Sequence, residues 1–342
     1  MSQRIAALLA LAGFILTVMG VWLWGGNLGP EPGSSRVSFQ IATGSTGSLY
    51  FPVGQAIAGV ISHPPGVGRC ETATVCGPAG VILSARTSEG AADNLRSVNQ
   101  GLVDSGLSEG DVIAAAVNGQ GAFRRSGKAT HLRIIASLFD EQVHLVASAK
   151  SDIHAISDLR GKRVMLGGME NTGAVTRTRA ILAAYRVYRV RVVPFESGNA
   201  AQLLREGKID AFFTMTAAPL DSVRDLIDQN LARLVPLDGD GRERLLKQVP
   251  QLRATLIPAG LYPRIGAVET VGARAYWVTR DGEPDPLIYG ITRALFHSAN
   301  RAPLAAGHHG AGRISLYQAA VNPPAPLHSG AARFYREAGV LP

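Results

Sequence analysis

Two stretches far apart in the chain repeat one local plan. Asn94-Leu-Arg-Ser-Val-Asn-Gln-Gly101-Leu-Val-Asp104-Ser-Gly-Leu107 and Ala201-Gln-Leu-Leu-Arg-Glu-Gly207-Lys-Ile-Asp210-Ala-Phe-Phe213 each read as a helix that stops at glycine and restarts as a short apolar strand after Val/Ile-Asp. Glycine suits that stop because it enters the left-handed conformation without a Cβ clash. Each unit also follows a strand that turns abruptly into a helix. Two copies of one α/β plan narrow the fold to two lobes that face each other. The cleft between such lobes suits a small molecule.

The rest of the chain fills in that plan. Val37–Ala42 alternates as a strand and runs through the turn Thr43-Gly44-Ser45-Thr46-Gly47-Ser48 into a helix whose first turn accepts Pro52. Gly80–Ala85 is a second strand, and 132–138 and 143–147 read as two more. The second copy opens with a capped turn at Ser157–Gly161. It continues through the strand 163–166 and the turn Gly167–Gly173 into a helix, and then a strand at 191–195. The long apolar run Val271–Thr279 is placed to return to the first lobe. Strands alternating with helices predict mostly parallel sheets flanked by helices. The expected organisation is a leader over 1–26, a linker over 27–36, a first lobe of 37–145 with 271–342, and a second lobe of 146–270. Leu145 and Trp277 are expected on two strands that cross between the lobes.

The leader is an apolar run over residues 5–24, preceded by Arg4. Its length fits either a cleaved export signal or an uncleaved membrane anchor, and both put the remainder outside the cytoplasmic membrane. Cys70 and Cys76 lie in a Gly/Pro-rich stretch, and an oxidising compartment favours a disulfide between them. They have no nearby pair of further ligands for zinc, so no metal is expected. The net charge is +8. Its one cluster, Arg177, Arg179, Arg186, Arg189 and Arg191, falls beside a helical stripe of Thr178, Ile181, Leu182 and Tyr185. That pattern reads as a solvated helix face rather than a nucleic-acid patch.

Binding chemistry points to the two glycine-rich turns. A helix N-terminus offers unpaired N–H groups and a positive dipole end, and small hydroxyl residues add donors. The two turns fall at equivalent places in two similar lobes, which brings both to one crevice. Neither is a nucleotide motif, and Gly307-His-His-Gly-Ala-Gly312 lacks the lysine and hydroxyl that a phosphate loop needs. We find no nucleophile elbow and no helical pair of histidines at ligand spacing. An enzyme is therefore not expected, and no cofactor is implied. Glu109 and Asp111, just after the 103–107 strand, read as lining of the cleft.

Taken in order, several segments resemble the TAXI-type solute-binding subunits of tripartite ATP-independent periplasmic (TRAP) transporters. They are Ile41-Ala-Thr-Gly-Ser-Thr-Gly-Ser-Leu-Tyr50, Ser88-Glu-Gly-Ala-Ala-Asp-Asn-Leu95, Leu138-Phe-Asp-Glu-Gln-Val-His-Leu-Val146, Ser157-Asp-Leu-Arg-Gly-Lys-Arg-Val164, Gly207–Phe213, Ile257–Tyr262 and Pro326–Tyr335. The resemblance implies a periplasmic-binding-protein-like fold of type II. It implies a periplasmic, monomeric protein that captures a small organic anion, a dicarboxylate or an acidic amino acid, and delivers it to a permease driven by an ion gradient. Nucleic acid has no part in that scheme. The binding residues it implies are Thr43, Gly44, Ser45, Thr46, Gly47, Tyr50, Ser88, Asn94, Glu109 and Asp111, with Asn171, Thr172, Gly173, Thr176 and Phe213 from the second lobe. The chain departs from the pattern at Met169–Thr172 and at Ser108–Asp111, where added acid favours a cation-bridged or zwitterionic ligand. Two other readings are compatible with the leader: the ligand-sensing ectodomain of a signalling system, and an exported enzyme on the same fold.

Overall fold

A computed structural model describes residues 37–64, 75–167, 172–194 and 199–342. The expected leader, Cys70 and Asn171 lie outside these residues, and so does the expected pairing of Cys70 with Cys76. No helix among the described residues is long and apolar enough to cross a membrane.

The alternation read from the sequence becomes β1 (Val37–Ala42), α1 (Tyr50–Ile61), β2 (Val81–Arg86), α2 (Ala91–Gln100), β3 (Ser105–Glu109), α3 (Gly110–Asn118) and β4 (Leu132–Ser148). There follow β5 (Arg163–Met165), α4 (Gly173–Ala184), β6 (Arg191–Val192), α5 (Ala200–Arg205), β7 (Ala211–Thr216), α6 (Asp221–Asp228), β8 (Ala232–Val235), α7 (Gly239–Gln248) and β9 (Arg253–Ile257). β10 (Val268–Arg280), α8 (Asp285–Leu295), α9 (Arg301–Gly307) and α10 (Ser329–Glu337) come last.

One expectation is corrected at β4, where the two strands read at 132–138 and 143–147 are a single strand of 17 residues. The polar triplet Asp140-Glu141-Gln142 lies between them. Asp140 accepts from Arg274 Nε at 2.8 Å, Glu141 accepts from the Tyr50 hydroxyl at 2.7 Å, and the Gln142 side chain accepts from Ala218 N at 3.1 Å. With each polar group partnered, the strand can run on through the interior.

The sheet runs β2-β1-β3-β10-β4-β7-β5-β6, with β8 paired to β4 and β9 to β10. β1 is parallel to β2 and β3, and β5 is parallel to β6 and β7. β4 and β10 are antiparallel to each other and to their other partners. Each half is thus a largely parallel α/β layer, and the β4–β10 pair passes through both. Leu145 lies on β4 and Trp277 on β10.

Apolar burial separates along the same line. In the first half, Phe39, Ile57, Trp277 and Tyr335 pack on one face of the sheet, and Leu95, Ile113 and Val278 on the other. In the second half, Leu145, Leu166 and Ile181 pack on one face, and Leu204, Phe212 and Leu226 on the other. Burying each such side chain contributes about 1.5–3 kcal/mol. Along β4 the core changes over between Phe139 and Val143, and along β10 between Ala273 and Ala275.

The repeated plan has a repeated cause. Gly101 and Gly207 end their helices at φ of +71° and +68°. The residue after each glycine donates back to the helix, Leu102 N to Ser97 O at 2.9 Å and Lys208 N to Leu203 O at 2.8 Å. Asp104 then accepts from Gln40 N, and Asp210 from Arg163 N, each at 2.7 Å. Both aspartates therefore satisfy a backbone N–H on the neighbouring parallel strand.

Candidate functional site

The first-half turn is held from beneath. The Thr43 hydroxyl donates to Arg86 O at 2.8 Å, and Ser88 N donates to Gly44 O at 3.2 Å. Asn94 is fully buried, and its Nδ2 donates to Thr43 O and Leu107 O, both at 2.8 Å. Its amide thus ties the turn to β3, while Oδ1 has no partner. Ser88 Oγ accepts from Gly90 N at 3.1 Å. Ser45, Thr46 and Gly47 are exposed at the tip. Tyr50, the first residue of α1, points inward to Glu141 on β4.

In the second half, Thr172 caps α4, with its Oγ1 accepting from Val175 N at 3.4 Å. The Thr176 hydroxyl donates to Thr172 O at 3.0 Å. Gly173 is pressed against the first half, where a Cβ would lie 2.5 Å from Val112 Cγ2. Phe213 is buried on β7 opposite Leu145. With Gly167 and Arg177 it lines a void of about 20 Å³, enough for one water.

A residue that joins the halves is Arg177, which the sequence places on a solvated face. Its side chain is 3% exposed. Its guanidinium donates through Nε to Asp111 Oδ2 at 2.7 Å and through Nη2 to Asp111 Oδ1 at 2.9 Å, and Nη2 lies 3.3 Å from Glu109 Oε1. Arg177 stands on α4, and its partners stand at the junction of β3 and α3. Burial works against the guanidinium's charge, but the charges of Asp111 and Glu109 outweigh it and hold the proton more firmly than usual.

The carboxyl groups outnumber that cation. Burial raises the Glu109 pKa, against the pull of Arg177. Glu141 is pushed well above the usual carboxylate range, first by burial and then by the charge of Glu109. Burial, followed by the same two acids, raises the Tyr50 phenol, which keeps it a donor. Tyr50, Glu109, Asp111, Gly173 and Thr176 thus gather around Arg177, while Asn94 and Ser88 support the turn behind.

The halves enclose a groove of about 320 Å³, whose walls include Asp111 and Gln120 from one side and Thr176, Arg177, Gln248 and Gln251 from the other. A groove of this size, apolar with a few convergent polar groups, suits a small polar molecule. No group of three or more metal-ligating side chains occurs among the described residues. Sequence reasoning passed over Arg177 and Glu141. For the second, the available signal was an acid with apolar runs on both sides of its short polar triplet.

Comparisons place this geometry among known folds. MatC from Rhodopseudomonas palustris, solved with bound malate, aligns at a TM-score of 0.52 and 14% identity over 89% of this chain and 98% of its own. A protein of Bordetella bronchiseptica RB50 aligns at 0.50 and 14% identity, with 89% and 98% covered. The periplasmic binding protein BugD aligns at 0.50 and 13% identity over the same shares. At these identities the likeness is one of fold, and it agrees with the two-halved sheet described above. The NMT1-like family model matches residues 41–339, a span that takes in both glycine-rich turns, the crossing strands and Arg177. The chain belongs to the NMT1-like family.

Proposed function

We propose that this chain is an extracytoplasmic solute-binding protein that holds a small organic acid or amino acid between the two halves of the sheet, whose cores change over within β4 and β10. The observation that carries the reading is the groove of about 320 Å³ lined from both halves, with the start of α4 on its wall. A ligand touching both lobes favours the closed form by its difference in affinity for the two forms. We assign the anionic group of the ligand to the first N–H groups of α4, at Gly173 and Ala174, which lack intrahelical partners. Thr172 caps that terminus, with its Oγ1 accepting from Val175 N. The acids Glu109 and Asp111 favour a ligand that also carries a cation, such as an amino acid, over a bare dicarboxylate. Delivery to a TRAP-type permease, with the leader as signal or anchor, follows from the motif resemblance and belongs to the same proposal.

The test is a thermal-shift screen of organic acids, malate among them, and of amino acids on the exported portion. Saturation at a hundredfold excess over Kd should stabilise the fold by about 2.7 kcal/mol. Thr172→Glu should then abolish binding by calorimetry while the melting transition stays cooperative. If no member of either class raises the melting point, the solute class is wrong. Wild-type affinity in Thr172→Glu would move the site elsewhere.

A further inference from the structure

We propose that Arg177 is a latch that holds the two halves together across the cleft through protein contacts alone, so that its release governs how readily the cleft opens. This rests on reading the groove as the ligand cleft, but its test uses no ligand. The pair is a desolvated one: the side chains of Arg177 and Asp111 are 3% and 7% exposed. It is bidentate, which fixes direction as well as distance. Its partners come from opposite halves, so the bond can survive only while the halves are together.

The surroundings are shaped for that contact. A Cβ at Gly173 would sit 2.5 Å from Val112 Cγ2, and one at Gly121 would sit 3.0 Å from Thr176 Cγ2. Glycine on each side thus lets the halves close around the ion pair and exclude water from it. In the shut form each charge depends on the other, because neither has solvent to fall back on. Parting the halves returns both to water. That gives an element with two arrangements rather than a graded one. A solute whose anionic group competes for the guanidinium, or whose cationic group competes for the acids, would act on this same element.

The experiment measures distances by pulsed electron resonance between nitroxide labels carried on unnatural amino acids at Gln120 and Gln248, in the full chain without added solute. Both positions are exposed, and they line the groove from opposite halves. The wild type should give one short, narrow population. Arg177→Met should shift it to longer and broader distances. Asp111→Asn should give an intermediate spread, since Glu109 still faces the arginine. Gly173→Ala should also part the halves, with the ion pair chemically untouched. Should Arg177→Met fail to fold, the two other variants decide. The latch is overturned if the wild type is already as broad as the variants, or if Asp111→Asn and Gly173→Ala both keep the wild-type distribution. A narrow wild-type distance alongside an empty solute screen would sink the proposed solute class and leave the latch standing.

Discussion

The two strand–turn–helix units are built alike and charged oppositely. Both helices that precede the repeated glycines close with the same back-donation, and both aspartates hold a neighbouring strand by one N–H at the same distance. At the cleft they diverge. The first half supplies Glu109 and Asp111 from the junction of β3 and α3; the second supplies Arg177 from α4. Duplication of the plan therefore explains the scaffold, whereas the polar chemistry of the cleft arises from what each copy does not share.

The strongest way to break that contrast is to remove Arg177. Arg177→Met leaves Asp111 and Glu109 buried without a partner, which costs about 3–5 kcal/mol as long as the halves stay shut. Urea unfolding at neutral pH should show a loss of that order, reduced to the extent that opening lets water in. Asp111→Asn should lose less. A loss below about 1 kcal/mol, the level of an exposed ion pair, would mean that solvent already reaches the arginine.

Acid offers the next largest effect, and it falls on the second half. His144 is fully buried on β4, with Nδ1–H donating to Gln142 O at 2.9 Å. Its Nε2 accepts from the Tyr262 hydroxyl at 3.0 Å, and that hydroxyl accepts from Leu220 N at 2.9 Å. Every proton in the chain is assigned with the imidazole neutral. Burial lowers its pKa from 6.5 to about 4. The unfolded chain gains the proton first as pH falls, so the stabilisation is fully present above 6.5 and is lost on the way down to 4. The loss should reach about 3 kcal/mol. His328 in the first half is lowered too, also by burial, and adds to the same slope. His144→Gln should flatten the profile measured by urea unfolding at pH 7 and pH 4.5. An unchanged slope would assign the acid sensitivity to other groups, His328, His308 and the arginine-paired Asp140 and Asp210 among them.

The shared scaffold was largely legible in the sequence, because its causes are local. A glycine that ends a helix and an aspartate placed after a hydrophobic residue act within a few positions of themselves. The glycine-rich turns and the long return strand were legible for the same reason. Arg177 was not, since its place beside Thr178 and Ile181 fits a solvated flank as well as a lobe interface. Only the partner half distinguishes the two, and no periodicity within α4 encodes that half. Glu141 and the unbroken β4 were hidden likewise: their partners Tyr50, Arg274 and Ala218 are distant in sequence.

The paired aspartates let the likeness itself be measured. Asp104→Ala removes one acceptor from Gln40 N and should cost about 1–2 kcal/mol. Asp210→Ala removes the same acceptor from Arg163 N, and also a fork to the Arg163 side chain at 2.7 and 3.2 Å. Charge-assisted bonds are the stronger kind, so the second loss should exceed the first, reaching about 2–3 kcal/mol. Chemical denaturation of both variants checks the order. Equal losses would show that the Arg163 fork adds nothing beyond the shared N–H.

The smallest expected difference lies at the glycines. Alanine in the left-handed region costs about 1–2 kcal/mol at either position. At Gly207 a Cβ meets nothing within contact distance, so Gly207→Ala should show that backbone term alone. At Gly101 the Cβ would run into the guanidinium of Arg280, which must move aside. A guanidinium is the far end of a flexible side chain, so the added cost should be a fraction of the backbone term. Gly101→Ala should therefore be the more destabilising of the two by a few tenths of a kcal/mol. Matched urea titrations can resolve the order if both variants keep the wild-type denaturant dependence. A larger loss at Gly207 would mean that the two helix stops share a conformation but not a role.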